Sequence, residues 1–224
     1  MRSRFDQQLT ELHEALIQMG GQCERAISLA SKALLDPACA ALAGEVSSVE
    51  IEIDQSEREI ERLCMRLLLQ QQPVARDLRT ISAALKMISD MERIGDQAAD
   101  IAELSAYLRQ SNAAGKVHLA DMARAAVQMV TDSVDAFVRA DLAGAYRVIA
   151  ADDGVDARFD RIKDELLHLI YTRDIDAKAA LDLLMAAKYL ERIGDHAVNI
   201  AEWVIYSVTG AHPSAPDTSD PAVS

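Results

Sequence analysis

The sequence predicts an all-α protein built from two tandem copies of a three-helix bundle. The first observation is composition: the 224 residues include only nine glycines and five prolines, and Ala, Leu, Glu and Arg, which favour helix, dominate. The second is that apolar residues recur at alternating steps of three and four, which is the period of packed helices. The third is an internal repeat at an offset of 99 residues.

The first copy contains three apolar stripes. The first runs from Phe5 to Ala33, the second from Val46 to Leu67 and the third from Ile81 to Ala102. Turn signals at Asp36-Pro37 and Gln72-Pro73 separate them, because proline ends a helix and favours a turn. We therefore predict helices over about 5–35, 40–71 and 75–111.

The second copy repeats this arrangement. Its stripes run from Ala123 to Phe137, from Val155 to Leu169 and from Ala187 to Val208. The turn candidates are 112–115, 140–141 and 172–174. We predict helices over about 116–139, 143–170 and 175–209.

The repeat is clearest in the last helix of each copy. MERIGDQAADIAE at 91–103 and LERIGDHAVNIAE at 190–202 share nine of 13 positions. Asp77 and Asp176 also correspond, and we expect both in the first turn of their helices, where they favour the helix dipole. The predicted domains are residues 1–112 and 113–210, and the Pro-rich segment 211–224 is expected to be a disordered tail.

Charge and composition exclude several classes of protein. The net charge is −13, which argues against a general nucleic-acid-binding protein because such proteins need a cationic surface. No apolar run approaches the roughly 20 residues that cross a bilayer, so no direct membrane insertion is expected. Three cysteines without CxxC spacing indicate free thiols in a reducing compartment, and the predicted location is cytoplasmic.

Paired carboxylates are the candidate chemistry. They stand four residues apart on the last two helices of each copy, on the positions that flank the core stripe. The eight candidate metal ligands are Glu50, Asp54, Glu92, Asp96, Asp152, Asp156, Glu191 and Asp195.

The carboxylates of each hairpin are expected to face one another. Counted outward from Pro73, Glu92 and Asp54 are equally distant, and so are Asp96 and Glu50. The second set is arranged in the same way about the turn at 173–174. Residues equally distant from a tight turn lie at the same height in an antiparallel pair, so each copy is predicted to bring four carboxylates together.

Four facing carboxylates need positive charge nearby, and two sources are available. One is a salt-bridge network with Arg58, Arg93 and Arg192. The other is a hard cation, since an all-carboxylate set suits Mg²⁺, Mn²⁺, Ca²⁺ or iron. Gly95 and Gly194 occupy core positions inside helices, which predicts close helix approach and room for the neighbouring carboxylates.

A di-iron oxidase is a weaker interpretation. Such enzymes usually carry Glu-x-x-His on each of two helices. The chain has Glu165-x-x-His168, but the first copy has no counterpart. His13, His118 and His196 are also expected to be ordinary surface or packing residues.

The duplicated ERIGD, the PVARDLR segment at 73–79 and VIYSVTG at 204–210 resemble the PhoU family over about residues 5–210. The resemblance implies two three-helix bundles in a cytoplasmic, non-enzymatic negative regulator of the phosphate regulon and of phosphate uptake. It implies metal at the E(D)xxxD motifs, here Glu92/Asp96 and Glu191/Asp195, with iron, manganese, magnesium or zinc as candidates. Glu57 and Asp160 would substitute as ligands if the helix registers slip by one turn.

The partners that the resemblance implies are a sensor histidine kinase, the ATPase subunit of the phosphate ABC transporter and a second copy of the chain in a homodimer. Two other interpretations stay open on the residues alone. One is a carboxylate-bridged di-metal enzyme, and the other is a metal-free helical scaffold.

Overall fold

In a computed structural model of the chain, the described residues are 2–71, 73–108 and 114–213. They form six long α-helices and no strand, which confirms the all-α prediction. The helices are α1 (Arg2–Leu35), α2 (Leu42–Gln71), α3 (Ala75–Leu108), α4 (Leu119–Arg139), α5 (Leu142–Tyr171) and α6 (Ala177–Thr209).

Short 3₁₀ turns move two helix starts away from the predicted positions. Pro37–Cys39 form one such turn, in which the Asp36 carboxylate accepts a hydrogen bond from the Ala38 amide at 2.9 Å, so α2 begins at Leu42 rather than near 40. Ala114–Lys116 form the other, and α4 begins at Leu119 rather than near 116.

The start of α6 corrects one expectation. Asp176 does not lie in the first helical turn; it is the N-cap, and its carboxylate accepts a hydrogen bond from the Ala179 amide at 3.3 Å. Its extended backbone, with φ −71° and ψ 140°, is the usual N-cap conformation. Asp77 does lie in the first turn of α3, as predicted.

Helices α1, α2 and α3 pack as one three-helix bundle, and α4, α5 and α6 as a second. The bundles join along two antiparallel contacts, α1 with α4 and α3 with α6, while α2 and α5 stay on the outside. Thr131 of α4 donates to Glu24 of α1 at 2.7 Å, and Arg79 of α3 reaches the Ser207 carbonyl of α6 at 3.5 Å. The outer position of α2 and α5 leaves one side of the α2–α3 and α5–α6 hairpins facing solvent.

One apolar core runs through both bundles and includes Leu12, Ile53, Met91, Val130 and Ile193. The predicted division between residues 112 and 113 lies outside the described residues, and so does the predicted tail beyond residue 213. None of the described helices combines the length and the hydropathy needed to cross a membrane.

The three cysteines are free thiols, as predicted. Cys23 and Cys64 are buried in the core, and burial raises the pKa of each thiol to about 12. A thiol with so high a pKa stays protonated at neutral pH, and the thiolate is the reactive form. Both residues therefore behave as small core side chains.

Candidate metal centres

The first carboxylate cluster lies between α2 and α3 and consists of Glu50, Asp54, Glu92 and Asp96. Burial raises the pKa of Glu50, and the negative charges of Asp54 and of Asp96 across the hairpin raise it further. Burial also raises the pKa of Glu92, and charge on Asp96 and on Asp54 across the hairpin adds to the effect. Glu50 and Glu92 are therefore each within electrostatic reach of the carboxylate predicted to face it across the hairpin.

Glu57 extends this cluster by one turn of α2. Its carboxylate accepts a hydrogen bond from the Ser89 hydroxyl of α3 at 3.4 Å, and its charge contributes to the raised pKa of Glu92. The corresponding alternative in the second copy, Asp160, points away: it pairs with Lys163 at 2.8 Å and its side chain is 70% exposed.

The second carboxylate cluster lies between α5 and α6 and consists of Asp152, Asp156, Glu191 and Asp195. Burial raises the pKa of Asp152 to about 6, with further contributions from Asp156 on the same helix and from Asp195 and Glu191 across the hairpin. Burial is also the main cause of the raised pKa of Asp195, to which Glu191 and Asp156 add. The four carboxylates of the second copy therefore act on one another electrostatically across the hairpin, as those of the first copy do.

The two core glycines allow close helix approach, as the sequence predicted, but only Gly194 lies directly beside a cluster carboxylate. A Cβ at Gly95 would lie 3.0 Å from Cδ1 of Ile53, so α2 and α3 approach closely beside the first cluster. A Cβ at Gly194 would lie 3.4 Å from Oδ1 of Asp152, so the missing side chain leaves space beside that oxygen.

Two carboxylate oxygens of the second cluster, Oδ1 of Asp152 and Oε2 of Glu191, are buried and have no hydrogen-bond partner among the described residues. A buried carboxylate oxygen without a partner is costly, since it has lost hydration without replacement. The space over Gly194 and the bare Oδ1 of Asp152 together form a place where a cation would be favourable.

Cations already lie at the rim of each cluster. In the first, Arg58 contacts Asp54 at 3.4 Å, and Arg93 contacts Glu92 at 3.4 Å and Asp96 at 3.1 Å. Both arginines are more than half exposed, so these are surface ion pairs of small energetic value. The ion pairs of Arg58 and Arg93 that the sequence offered as an alternative to metal are therefore present.

The second cluster does not use the arginine that the repeat suggested. Arg192 instead lies near Asp100, whose raised pKa it partly lowers. Lys188 is a cation at the second cluster, and its ammonium contacts Glu191. The sequence contained a signal for this residue, because Lys188 and Glu191 are three apart on one helix face and so are neighbours.

The donor set fits a hard divalent cation, because every candidate ligand is a carboxylate oxygen. Within the described ranges, no three His, Cys, Asp or Glu side chains are grouped so that they could hold a metal ion as they stand. Coordination would therefore require at least some of the carboxylates to change rotamer.

Three of the histidines make ordinary hydrogen-bonding or packing contacts. Nδ1 of His118 contacts Glu165 at 2.5 Å, which occupies the glutamate of the Glu-x-x-His triplet. Nδ1 of His196 contacts Asp90 at 2.9 Å across the α3–α6 junction. His13 packs edge-on against Phe137, with ring centroids 5.9 Å apart.

Comparison with known proteins agrees with the repeated architecture. The PhoU domain model matches the chain twice, over residues 16–105 and 119–204. A phosphate-specific transport system accessory protein PhoU homolog of Clostridium acetobutylicum is 36% identical over 216 residues, covering 93% of this chain and 96% of its own length. A homolog of the same description from Pseudomonas aeruginosa is also 36% identical, over 92% of this chain and 86% of its own length.

Solved structures give the same result. The crystal structure of PhoU from Pseudomonas aeruginosa has a TM-score of 0.83 and 34% identity, covering 92% of this chain and all of that chain. The crystal structure of the phosphate transport system regulatory protein PhoU from Streptococcus pneumoniae has a TM-score of 0.83 and 26% identity, covering 94% of this chain and all of that chain. With two copies of the domain and relatives above 30% identity over nearly its whole length, the chain belongs to the PhoU family.

Proposed function

We propose that this chain is an accessory protein of phosphate-specific transport that restrains phosphate uptake and represses the phosphate regulon when phosphate is plentiful. The observation that carries the proposal is the pair of PhoU domains at 16–105 and 119–204, together with relatives named as accessory proteins of that transport system. The protein acts in the cytoplasm by contact with other proteins rather than by catalysis.

The partners in this proposal are the transporter ATPase subunit, a sensor histidine kinase and a second copy of the chain. The net charge of −13 supports regulation through proteins, because an acidic surface repels the phosphates of DNA. Long helices present ridged, rigid faces that suit contact with partner helices or domains. Light scattering on the purified protein tests the homodimer, and a monomer at high micromolar concentration would count against it.

Each carboxylate cluster is proposed to hold divalent or transition metal. Glu50, Asp54, Glu92 and Asp96 would supply the first set of oxygens, and Asp152, Asp156, Glu191 and Asp195 the second. The bare Oδ1 of Asp152 and the space over Gly194 support this assignment at the second cluster. Bound metal would supply the positive charge that cancels carboxylate repulsion.

The residues of the chain itself do the regulatory work in this proposal. Each cluster spans the two helices of an outer hairpin, so a bound metal would be held by carboxylates of α2 and α3 in the first copy and of α5 and α6 in the second. Repelling carboxylates loosen the same hairpins when no cation joins them. Ligation would therefore make the faces that a partner meets more rigid.

Deletion of the gene in the native host tests the function. Phosphate-regulon genes should then be expressed even in rich phosphate, and intracellular phosphate or polyphosphate should rise. The wild-type gene should restore regulation, and affinity purification of the tagged protein should recover the ATPase or the kinase. Normal phosphate regulation in the deletion strain, with no second copy of the gene, would refute the proposal.

Complementation with variants tests the metal clusters separately. Glu92→Gln with Asp96→Asn should restore regulation less well than the wild type. A matched control is Glu45→Gln with Glu59→Gln, which removes the same charge from exposed positions of α2 outside the cluster. Equal behaviour of the two double variants would show that the first cluster has no special role.

A further inference from the structure

The two clusters have different side chains beside them at the same height along their hairpins. In the first copy, the Ser89 hydroxyl of α3 donates to the Glu57 carboxylate of α2 at 3.4 Å. In the second copy, the corresponding pair is Lys188 of α6 and Phe159 of α5, with the Lys188 ammonium 5.4 Å from the centroid of the Phe159 ring. A polar, acidic pair in one copy is thus replaced by an ammonium over an aromatic face in the other.

Lys188 faces into the second cluster from this position. Its ammonium contacts Oε2 of Glu191, whose side chain is only 15% exposed. The lysine therefore neutralises part of the cluster from within the chain.

The Phe159 ring holds the ammonium at the cluster. Lys163 lies 5.4 Å from the same centroid, so the ring attracts two ammonium groups through its quadrupole. Lys163 is engaged by Asp160 at 2.8 Å, whereas Lys188 is directed to Glu191. An aromatic ring does not compete for the metal, so Phe159 positions a cation without adding a ligand.

We propose that the Lys188 ammonium competes with a divalent ion for Glu191 at the second cluster. The ion must displace the ammonium from Glu191, so the second site binds metal more weakly than the same carboxylates would without Lys188. This inference rests on the proposed metal binding. The two clusters therefore have different metal affinities and fill at different metal concentrations.

The size of the effect follows from the charges. A unit positive charge about 5 Å from a divalent ion, in a water-like dielectric at physiological salt, weakens binding by about fivefold. A variant that keeps a positive side chain at position 188 should keep the competition with metal. A positive side chain placed at the matching position of the first copy should create the same competition there.

The test uses the full chain with Glu92→Gln and Asp96→Asn, so that only the second cluster remains, and Mn²⁺ as the probe. The electron paramagnetic resonance signal of free Mn²⁺ gives the Kd. Lys188→Met should lower the Kd about fivefold, and Lys188→Arg should leave it unchanged. Lys178→Met is the matched control, since Lys178 is on the same helix and its ammonium lies 5.5 Å from the Tyr107 ring centroid, away from the cluster.

The reciprocal change is Ser89→Lys in a chain whose second cluster carries Glu191→Gln and Asp195→Asn. It should raise the Kd of the first cluster about fivefold. If Mn²⁺ binds the second cluster and Lys188→Met leaves the Kd unchanged, or shifts it no more than Lys178→Met does, the inference is wrong while metal binding stands. If Mn²⁺ binds neither cluster, with or without Lys188, both the inference and the proposed metal binding are wrong.

Discussion

Replacing Asp152 by asparagine should stabilise the metal-free protein at alkaline pH. The Oδ1 atom of Asp152 is buried and has no hydrogen-bond partner among the described residues, and burial with nearby charge raises the pKa from 3.8 to about 6. Asparagine keeps the shape of the side chain and removes the charge. The variant therefore loses the repulsion and the desolvation cost while keeping the packing.

The magnitude follows from the shift in pKa. About two units at about 1.4 kcal/mol each give a ceiling of about 3 kcal/mol. Asp152 is only partly buried, and solvent screens its neighbours, so we expect a gain of about 1 kcal/mol in the free energy of unfolding. For a chain of this length, that gain corresponds to about 2–4 °C in Tm.

The sign of the pH dependence is defined by the two pKa values. Between pH 3.8 and about 6 the folded state holds a proton that the unfolded state has released, so the contribution of Asp152 to stability falls as pH rises. The penalty is complete above about pH 6 and absent below 3.8. The advantage of Asp152→Asn should therefore be largest at pH 8 and smaller at pH 4.5.

Urea unfolding followed by circular dichroism at 222 nm, in EDTA, measures this difference. Asp164→Asn, an exposed position of α5, is the control and should change stability by less than about 0.5 kcal/mol. Saturating Mn²⁺ should reverse the order, because the wild type keeps the ligand that the variant lacks. A variant that is less stable than the wild type at pH 8 in EDTA, or an advantage that grows toward acid pH, would refute the reasoning.

Three further outcomes are expected. Mn²⁺ at one hundred times Kd should raise the free energy of unfolding by about 2.7 kcal/mol for each site that it fills. Glu92→Gln with Asp96→Asn should remove only the contribution of the first cluster. Thermal melts with and without EDTA measure this difference. Gly21→Ala should stabilise the protein by about 1 kcal/mol, since the added Cβ in α1 would meet nothing within 4 Å. Gly95→Ala should stabilise it less, because its Cβ would meet a neighbouring side chain at 3.0 Å. Equal Tm shifts for the two variants would contradict this contrast. In the native protein Cys39 should react with a thiol reagent before Cys23 and Cys64, because those two cysteines are buried; labelling of three thiols before unfolding would show otherwise.

The local features of this protein could be predicted from the sequence because they depend on residues close together in the chain. The step of three and four between apolar residues indicated each helix, and proline and short polar segments indicated the turns. Equal distance from Pro73 placed Glu92 opposite Asp54, since a tight hairpin leaves few registers. The starts of α2 and α4, at Leu42 and Leu119, each follow a short 3₁₀ turn and lie within a few residues of the predicted positions.

Contacts between distant parts of the chain were decided only by the tertiary structure. The antiparallel pairing of α3 with α6 and of α1 with α4 depends on which helix faces meet, and a helical period does not specify the partner. The choice of Lys188 over Arg192 as a cation of the second cluster depends on where each side chain points once α5 and α6 have packed. The sequence by itself determined six helices and two copies of one unit, whereas packing decided how deeply each carboxylate is buried and which charge accompanies it, because burial and partner choice are properties of the assembled faces.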